Sequence, residues 1–136
     1  MEYGQPALTL KNDKGQVVIY RPRPDVVVVV SSGFLTTDLW TRQVPFYEKV
    51  FRDVPSLHLF RDAGEVRSFE PAYREGQQQF GKLHKSRFSE IVFHQRSALL
   101  AMAINAGALF TGANIVAVNR ETFDRKLGEL LAKQAA

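Results

Sequence analysis

The sequence predicts an α/β fold: a mixed, largely parallel sheet of about five strands, with about four helices packed on it. Three observations predict it. Five consecutive valines, Val26 to Val30, follow Asp25 without the polar alternation of a half-exposed strand, as expected for a central strand covered on both faces. Beyond them, short β-branched runs alternate with segments of helical period. With 136 residues, 45% of them hydrophobic, the chain suits one sizeable core.

The elements are read in chain order. "QVVIY", Gln16 to Tyr20, is a short strand after the turn-like "KNDKG", and "RPRP" stops it. The valine strand spans Asp25 to Ser31, and Gly33 permits a turn into a helix capped by Thr36 or Thr37, with Asp38 at its positive end. That helix continues to Arg52 and gathers Leu39, Trp40, Val44, Tyr47, Val50 and Phe51 on one broad face; Pro45 must kink or split it. "LHLF", Leu57 to Phe60, is the next strand, closed by a loop through Arg61, Asp62 and Gly64. A second helix starts near Ser68 or Glu70 and carries Phe69, Ala72, Tyr73, Gly76, Phe80 and Leu83 at three-and-four spacing. "FSEIVFH", Phe88 to His94, reads as a strand, Ser97 to Phe110 as an uncharged helix, and "NIVAV", Asn114 to Val118, as the last strand. Asn119 or Thr122 opens a closing helix with Phe123, Leu127, Leu130 and Leu131 on its apolar side.

Composition narrows the function classes. The net charge of +4, from 18 basic and 14 acidic residues, is spread along the chain without a block of like charge, so no nucleic-acid partner is expected. The absence of cysteine excludes disulfides, thiol nucleophiles and thiolate metal sites and fits a cytoplasmic location. "MEYGQPALTL" lacks the pattern of a secretory signal. The uncharged stretch from Ser97 to Val118 is interrupted by Asn105, Gly107, Thr111, Gly112 and Asn114, so a buried helix, turn and strand are expected there rather than a membrane span.

No catalytic constellation stands out, and neither a metal nor a cofactor is expected. A phosphate loop needs several glycines and a lysine, whereas "SSGFLTTD" offers one glycine and no lysine. The three histidines, His58, His84 and His94, lack metal-site spacing. His94 stands at the carboxyl end of a strand, where open α/β sheets bind ligands, and with Asp62 or Glu65 it is the nearest approach to an acid and base pair. Ser68 reads as a helix N-cap, and a phosphoryl group there would gain from the helix dipole and from Arg67 or Arg74. In the helix from Ser97 to Phe110, small residues lie on every face. A side marked by Leu99, Met102, Ala106 and Phe110 is therefore a candidate surface for an apolar ligand or a second copy.

In order and texture these elements resemble the STAS domain, in particular the group named after the sporulation anti-sigma-factor antagonist, the SpoIIAA-like domains. The resemblance runs from about Gln16 to Leu131 and rests on "DVVVVVSSGFLTTD", "LHLFRDAGEVRSFEPAYREG" and "SEIVFHQRSALLAMAINAGALFTGANIVAVNRETFDRKL". It implies a STAS-like domain over residues 16–136 behind an N-terminal extension of residues 1–15. The implied function is a non-catalytic regulatory module that binds a protein partner. Asp62, Glu65, Arg67, Ser68, Phe69 and Tyr73 would form the contact surface, and Ser68 is the candidate phosphorylation site. The family's serine lies in an Asp-Ser-Ser-Gly-Leu setting, whereas here Arg67 precedes Ser68 and Phe69 and Glu70 follow it. Other relatives resemble lipid-binding α/β domains, which makes a small apolar or lipid-like ligand the alternative.

Overall fold

The computed structural model describes residues 3–97 and 114–133. One six-stranded sheet organises them, with its strands side by side in chain order. β1 (Pro6–Lys11), β2 (Gly15–Arg23) and β3 (Val26–Leu35) form an antiparallel meander. From β3 onward β4 (Leu57–Phe69), β5 (Phe88–His94) and β6 (Ile115–Val118) run parallel. α1 (Thr37–Thr41) and α2 (Val44–Asp53) connect β3 to β4, α3 (Pro71–Leu83) connects β4 to β5, and α4 (Arg120–Ala132) closes the chain. The expected mixed, largely parallel α/β sheet is therefore present, with six strands where about five were expected.

The valine run explains how the sheet is covered. Successive side chains of a strand point to opposite faces, so Val27 and Val29 join one core while Val26 and Val28 join the other. The larger core holds Leu39 and Trp40 from α1, Tyr47 and Val50 from α2, and Tyr73 and Phe80 from α3 against Leu57, Leu59 and Ile91. The thinner one packs Phe123 and Leu127 of α4 against Phe60 and Val92. Phe80 is the hub of an aromatic cluster, with ring centroids 5.5 Å from Trp40, 5.6 Å from Tyr47 and 6.0 Å from Phe51.

Several boundaries differ from the sequence reading. Residues 1–15 include β1, whose Leu8 and Leu10 face the larger core. β2 runs on through "RPR" because an irregularity between Tyr20 and Arg23 lets Pro22 sit outside the regular ladder. Gly33 does not end β3: with φ of 79° it forms a bulge, and the strand continues to Leu35. β4 does not stop at Phe60 either. Glu65, Val66, Ser68 and Phe69 pair with Ser32, Gly33, Phe34 and Leu35, so the expected loop from Asp62 to Ser68 is strand. Ser68 is consequently not the N-cap of α3; Glu70 occupies that position.

Other expectations hold. Pro45 splits the long helix, sitting in the first turn of α2, where its missing N–H costs nothing. Asn119 caps α4, its side-chain oxygen accepting from the Thr122 N–H at 2.8 Å. The expected helix from Ser97 to Phe110, with Leu99, Met102, Ala106 and Phe110, lies outside the described residues apart from Ser97. Among the described residues no helix is long and apolar enough to cross a membrane.

Candidate functional site

The carboxyl ends of β3, β4 and β5 meet at one edge of the sheet, the position at which open α/β sheets hold ligands. Arg61 and Asp62 occupy adjacent positions in the middle of β4, opposite Phe93 and His94 at the carboxyl end of β5, and, by the strand's period of two, serve opposite faces.

Asp62 turns to the α4 face. Its Oδ1 accepts from Arg120 at 2.7 Å and from the Gly64 N–H at 3.1 Å. The Asp62 hydrogen bond, outweighing the cost of burial, holds the Arg120 guanidinium above its usual pKa. Tyr3, Gly4, Gln5, Tyr20 and Val30 complete a shallow depression of about 620 Å³ around this ion pair. Tyr3 and Tyr20 meet there with ring centroids 5.2 Å apart. Burial, and then the negative charges of Asp62 and Asp124, push the Tyr3 phenol up.

His94, opposite Asp62 on β5, is also buried. Its Nδ1 lies 3.1 Å from the Val118 carbonyl. A carbonyl can only accept, so Nδ1 carries a proton and donates it to this bond. The sequence expectation of an acid and base pair from His94 with Asp62 or Glu65 does not take shape as a hydrogen bond. Asp62 is committed to Arg120, and exposed Glu65 faces Arg96 at 4.0 Å. Among the described residues no group of three His, Asp or Glu side chains could hold a metal ion.

Arg61 turns to the face that carries α1 to α3, into an aromatic polar nest. Its guanidinium carbon lies 6.0 Å from the Trp40 ring centroid. Beside it, fully buried Gln43 donates to the Leu39 carbonyl at 2.9 Å and to the Tyr73 hydroxyl at 2.8 Å, and accepts from the Tyr47 hydroxyl at 2.8 Å. Burial pushes the Tyr47 phenol up to about 12 against the opposing pull of the Arg61 charge. Tyr73 is raised for the same first reason, opposed by its Gln43 hydrogen bond and by Arg61. Arg61 itself is only 8% exposed, and its Nε is buried without a hydrogen-bond partner.

The third feature of this edge is the tail of β4. β3 accompanies β4 to Phe69, but β5 stops pairing at Asp62 opposite His94. Among the described residues no strand lies on the β5 side of residues 63–69, and Glu65, Arg67 and Ser68 are exposed there. The tail is tied to the helices behind it. The Glu70 N–H donates to the Leu35 carbonyl at 2.9 Å, and Glu70 Oε1 accepts from the Thr37 N–H at 2.8 Å, capping α1 from a distance.

Of the residues expected to form one contact surface, Glu65, Arg67 and Ser68 share this exposed tail and half-buried Phe69 ends it. Asp62 belongs to the α4 face, and buried Tyr73 to the Gln43 network. The sequence reading did not single out Arg61, Gln43 or Arg120. The available signal was the Arg61–Asp62 pair directly after the apolar run "LHLF", since adjacent charges within a strand must face two different environments.

No family profile and no curated protein matches the chain. Among solved structures, it is similar to that of an uncharacterized protein of the DUF3478 family with a SpoIIAA-like fold from Shewanella loihica PV-4. The TM-score is 0.67 at 16% identity, covering 93% of this chain and 100% of that one. The fold is therefore SpoIIAA-like, as the STAS resemblance implied.

Proposed function

We propose that this SpoIIAA-like chain is a non-catalytic regulatory module that acts in the cytoplasm by binding another protein along the tail of β4. The observation that carries the reading is the one-sided pairing of that tail: residues 63–69 have β3 on one side and no described strand on the other. A strand edge with unpaired backbone groups is a template for an extended partner segment, and the exposed side chains of Glu65, Arg67 and Ser68 supply selectivity. Commitment to Arg120 of Asp62, the carboxylate opposite His94, supports a binding role over acid and base chemistry.

Ser68 is the proposed switch. Its exposure makes it accessible to a kinase, and phosphorylation adds about −1.5 to −2 charges at neutral pH. That charge would stand between Arg67 and Phe69 on the partner-binding strand, changing its affinity for a charged segment. Affinity capture with wild type, Ser68→Ala, Ser68→Asp and Arg67→Glu as baits tests this. A partner held by wild type and Ser68→Ala and lost by Ser68→Asp and Arg67→Glu is expected. Equal recovery on all four baits would remove both the surface and the switch.

A further inference from the structure

Arg61 carries a feature that the protein-binding reading does not use. A buried charge is ordinarily paired, because taking it out of water is costly unless a counter-charge and full hydrogen bonding offset the loss. Arg61 is 8% exposed, its Nε has no hydrogen-bond partner, and no carboxylate among the described residues forms an ion pair with it. The acids nearest in sequence are engaged elsewhere: Asp62 with Arg120 on the opposite face, Glu65 with Arg96, and Glu70 with the Thr37 N–H. The stretch of residues 98–113 contains no acidic residue to serve as a counterion. What surrounds the cation is neutral: the Trp40 ring, and the Tyr47 and Tyr73 phenols that burial keeps protonated.

We infer that Arg61 is the anchor of a binding site for a carboxylate ligand that supplies the missing negative charge. The Nε is left without a partner although the same side chain hydrogen-bonds the Tyr47 hydroxyl, and a planar carboxylate that accepts from Nε can take up the neighbouring Nη in a second, parallel hydrogen bond. The ring against the guanidinium is that of Trp40, so the site favours a carboxylate carried on a ring or other flat apolar body. In the middle of β4, Arg61 stands opposite Phe93, level with the carboxyl end of β5, and the carboxyl ends of strands are where an open α/β sheet admits ligands.

The chain's single tryptophan reports on the site. The wild-type protein is titrated with benzoate, acetate and inorganic phosphate, against sodium chloride at matched ionic strength, reading Trp40 fluorescence and Tm. Both carboxylates are expected to give a saturable fluorescence change, benzoate at lower concentration, and to raise Tm at saturation. Arg61→Lys, which keeps the charge and loses the fork, is expected to weaken benzoate at least tenfold. Arg61→Met is expected to abolish the response while melting no lower than ligand-free wild type, because an unpaired buried charge has been removed. The wild-type titration decides the question even if a variant fails to fold. No saturable response to either carboxylate, a response to phosphate alone, an equal response in Arg61→Met, or a folded Arg61→Met that melts well below wild type would each overturn the inference.

Discussion

Gln43 shows how one residue organises the space between three helices. Fully buried, it binds the Leu39 carbonyl in α1, the Tyr47 hydroxyl in α2 and the Tyr73 hydroxyl in α3, so both ends of its amide are used. Gly76 completes the same contact: a Cβ there would overlap the Trp40 ring, so α3 lies against α1 only because that position has no side chain. Gly76→Ala is therefore expected to destabilise the protein by about 1–3 kcal/mol, the range for overpacking a core. Chemical denaturation checks the cost, and a shifted Trp40 emission locates it. Tyr47 makes a second prediction. Its folded pKa, about 12, lies above the ordinary tyrosine value of 10.0, so the folded state holds the proton more tightly than the unfolded chain. Its contribution to stability is complete below pH 10, and declines as the pH rises toward 12 and the unfolded phenol ionises first. Tyrosinate absorbance and loss of circular dichroism should then rise together through that window, and Tyr47→Phe should flatten the decline. Sequence showed Trp40, Tyr47 and Tyr73 as parts of apolar helix faces. It did not show that Gln43 joins them, because a lone glutamine in an amphipathic helix is ordinarily solvated.

At the scale of elements, the end of α4 is held by another part of the chain. Arg23, just past the regular part of β2, donates from Nη1 to the carbonyls of Leu130 and Lys133 at 3.0 Å each. It also forks onto Asp25 through Nε at 2.6 Å and Nη2 at 3.1 Å. It thus satisfies terminal helix carbonyls that otherwise lack donors. Arg23→Ala is expected to cost about 1–2 kcal/mol and to speed hydrogen exchange in the last turn of α4 while leaving α2 unchanged. The Arg23 hydrogen bond holds the Asp25 carboxyl below its ordinary 3.8, so this contribution is present above that pH and is lost as the pH falls further. Arg23→Ala should accordingly remove part of the acid sensitivity of wild type. Elements that bury a full face were legible from sequence: the valine strand by its unbroken apolar run, α2, β5 and α4 by the spacing of their apolar residues, and Pro45 marked the break. The tail of β4 and the whole of β1 were not. "GEVRSF" carries charge because one side of it meets solvent, and its strand conformation comes from pairing with Gly33, Phe34 and Leu35, which are distant in sequence. At β1 the apolar alternation is confined to Leu8 and Leu10, too short a signal beside Pro6 and Lys11. Ser68 moved from helix cap to strand for the same reason, so the candidate switch was legible as a residue and its setting was not.

Among the described residues the sheet is covered unequally. α1, α2 and α3 bury one face over an aromatic cluster, whereas α4 covers the other with Phe123 and Leu127 set on Phe60 and Val92. Phe123 is the centre of that thinner layer: its ring lies 5.6 Å from Phe60 edge-on and 6.2 Å from the His94 ring, and the Arg120 guanidinium sits 5.6 Å over it. Phe123→Ala should cost about 3–5 kcal/mol, the range for emptying a buried aromatic site. The effect should also be uneven across the chain, because regions with fewer buried apolar contacts open at lower free energy than the central strands. In wild type, amides of β3 and β4 are expected to exchange only through global unfolding, and those of α4 through a cheaper local opening. In Phe123→Ala that opening should be favoured far more than the global one. The Asp62–Arg120 ion pair ties α4 to the sheet at the site edge, so the depression lined by Tyr3 and Tyr20 would be lost with it. Native-state hydrogen exchange of the two proteins distinguishes the cases. If α4 and β4 lose protection equally, the two layers form a single cooperative unit and the unequal cover has no dynamic consequence.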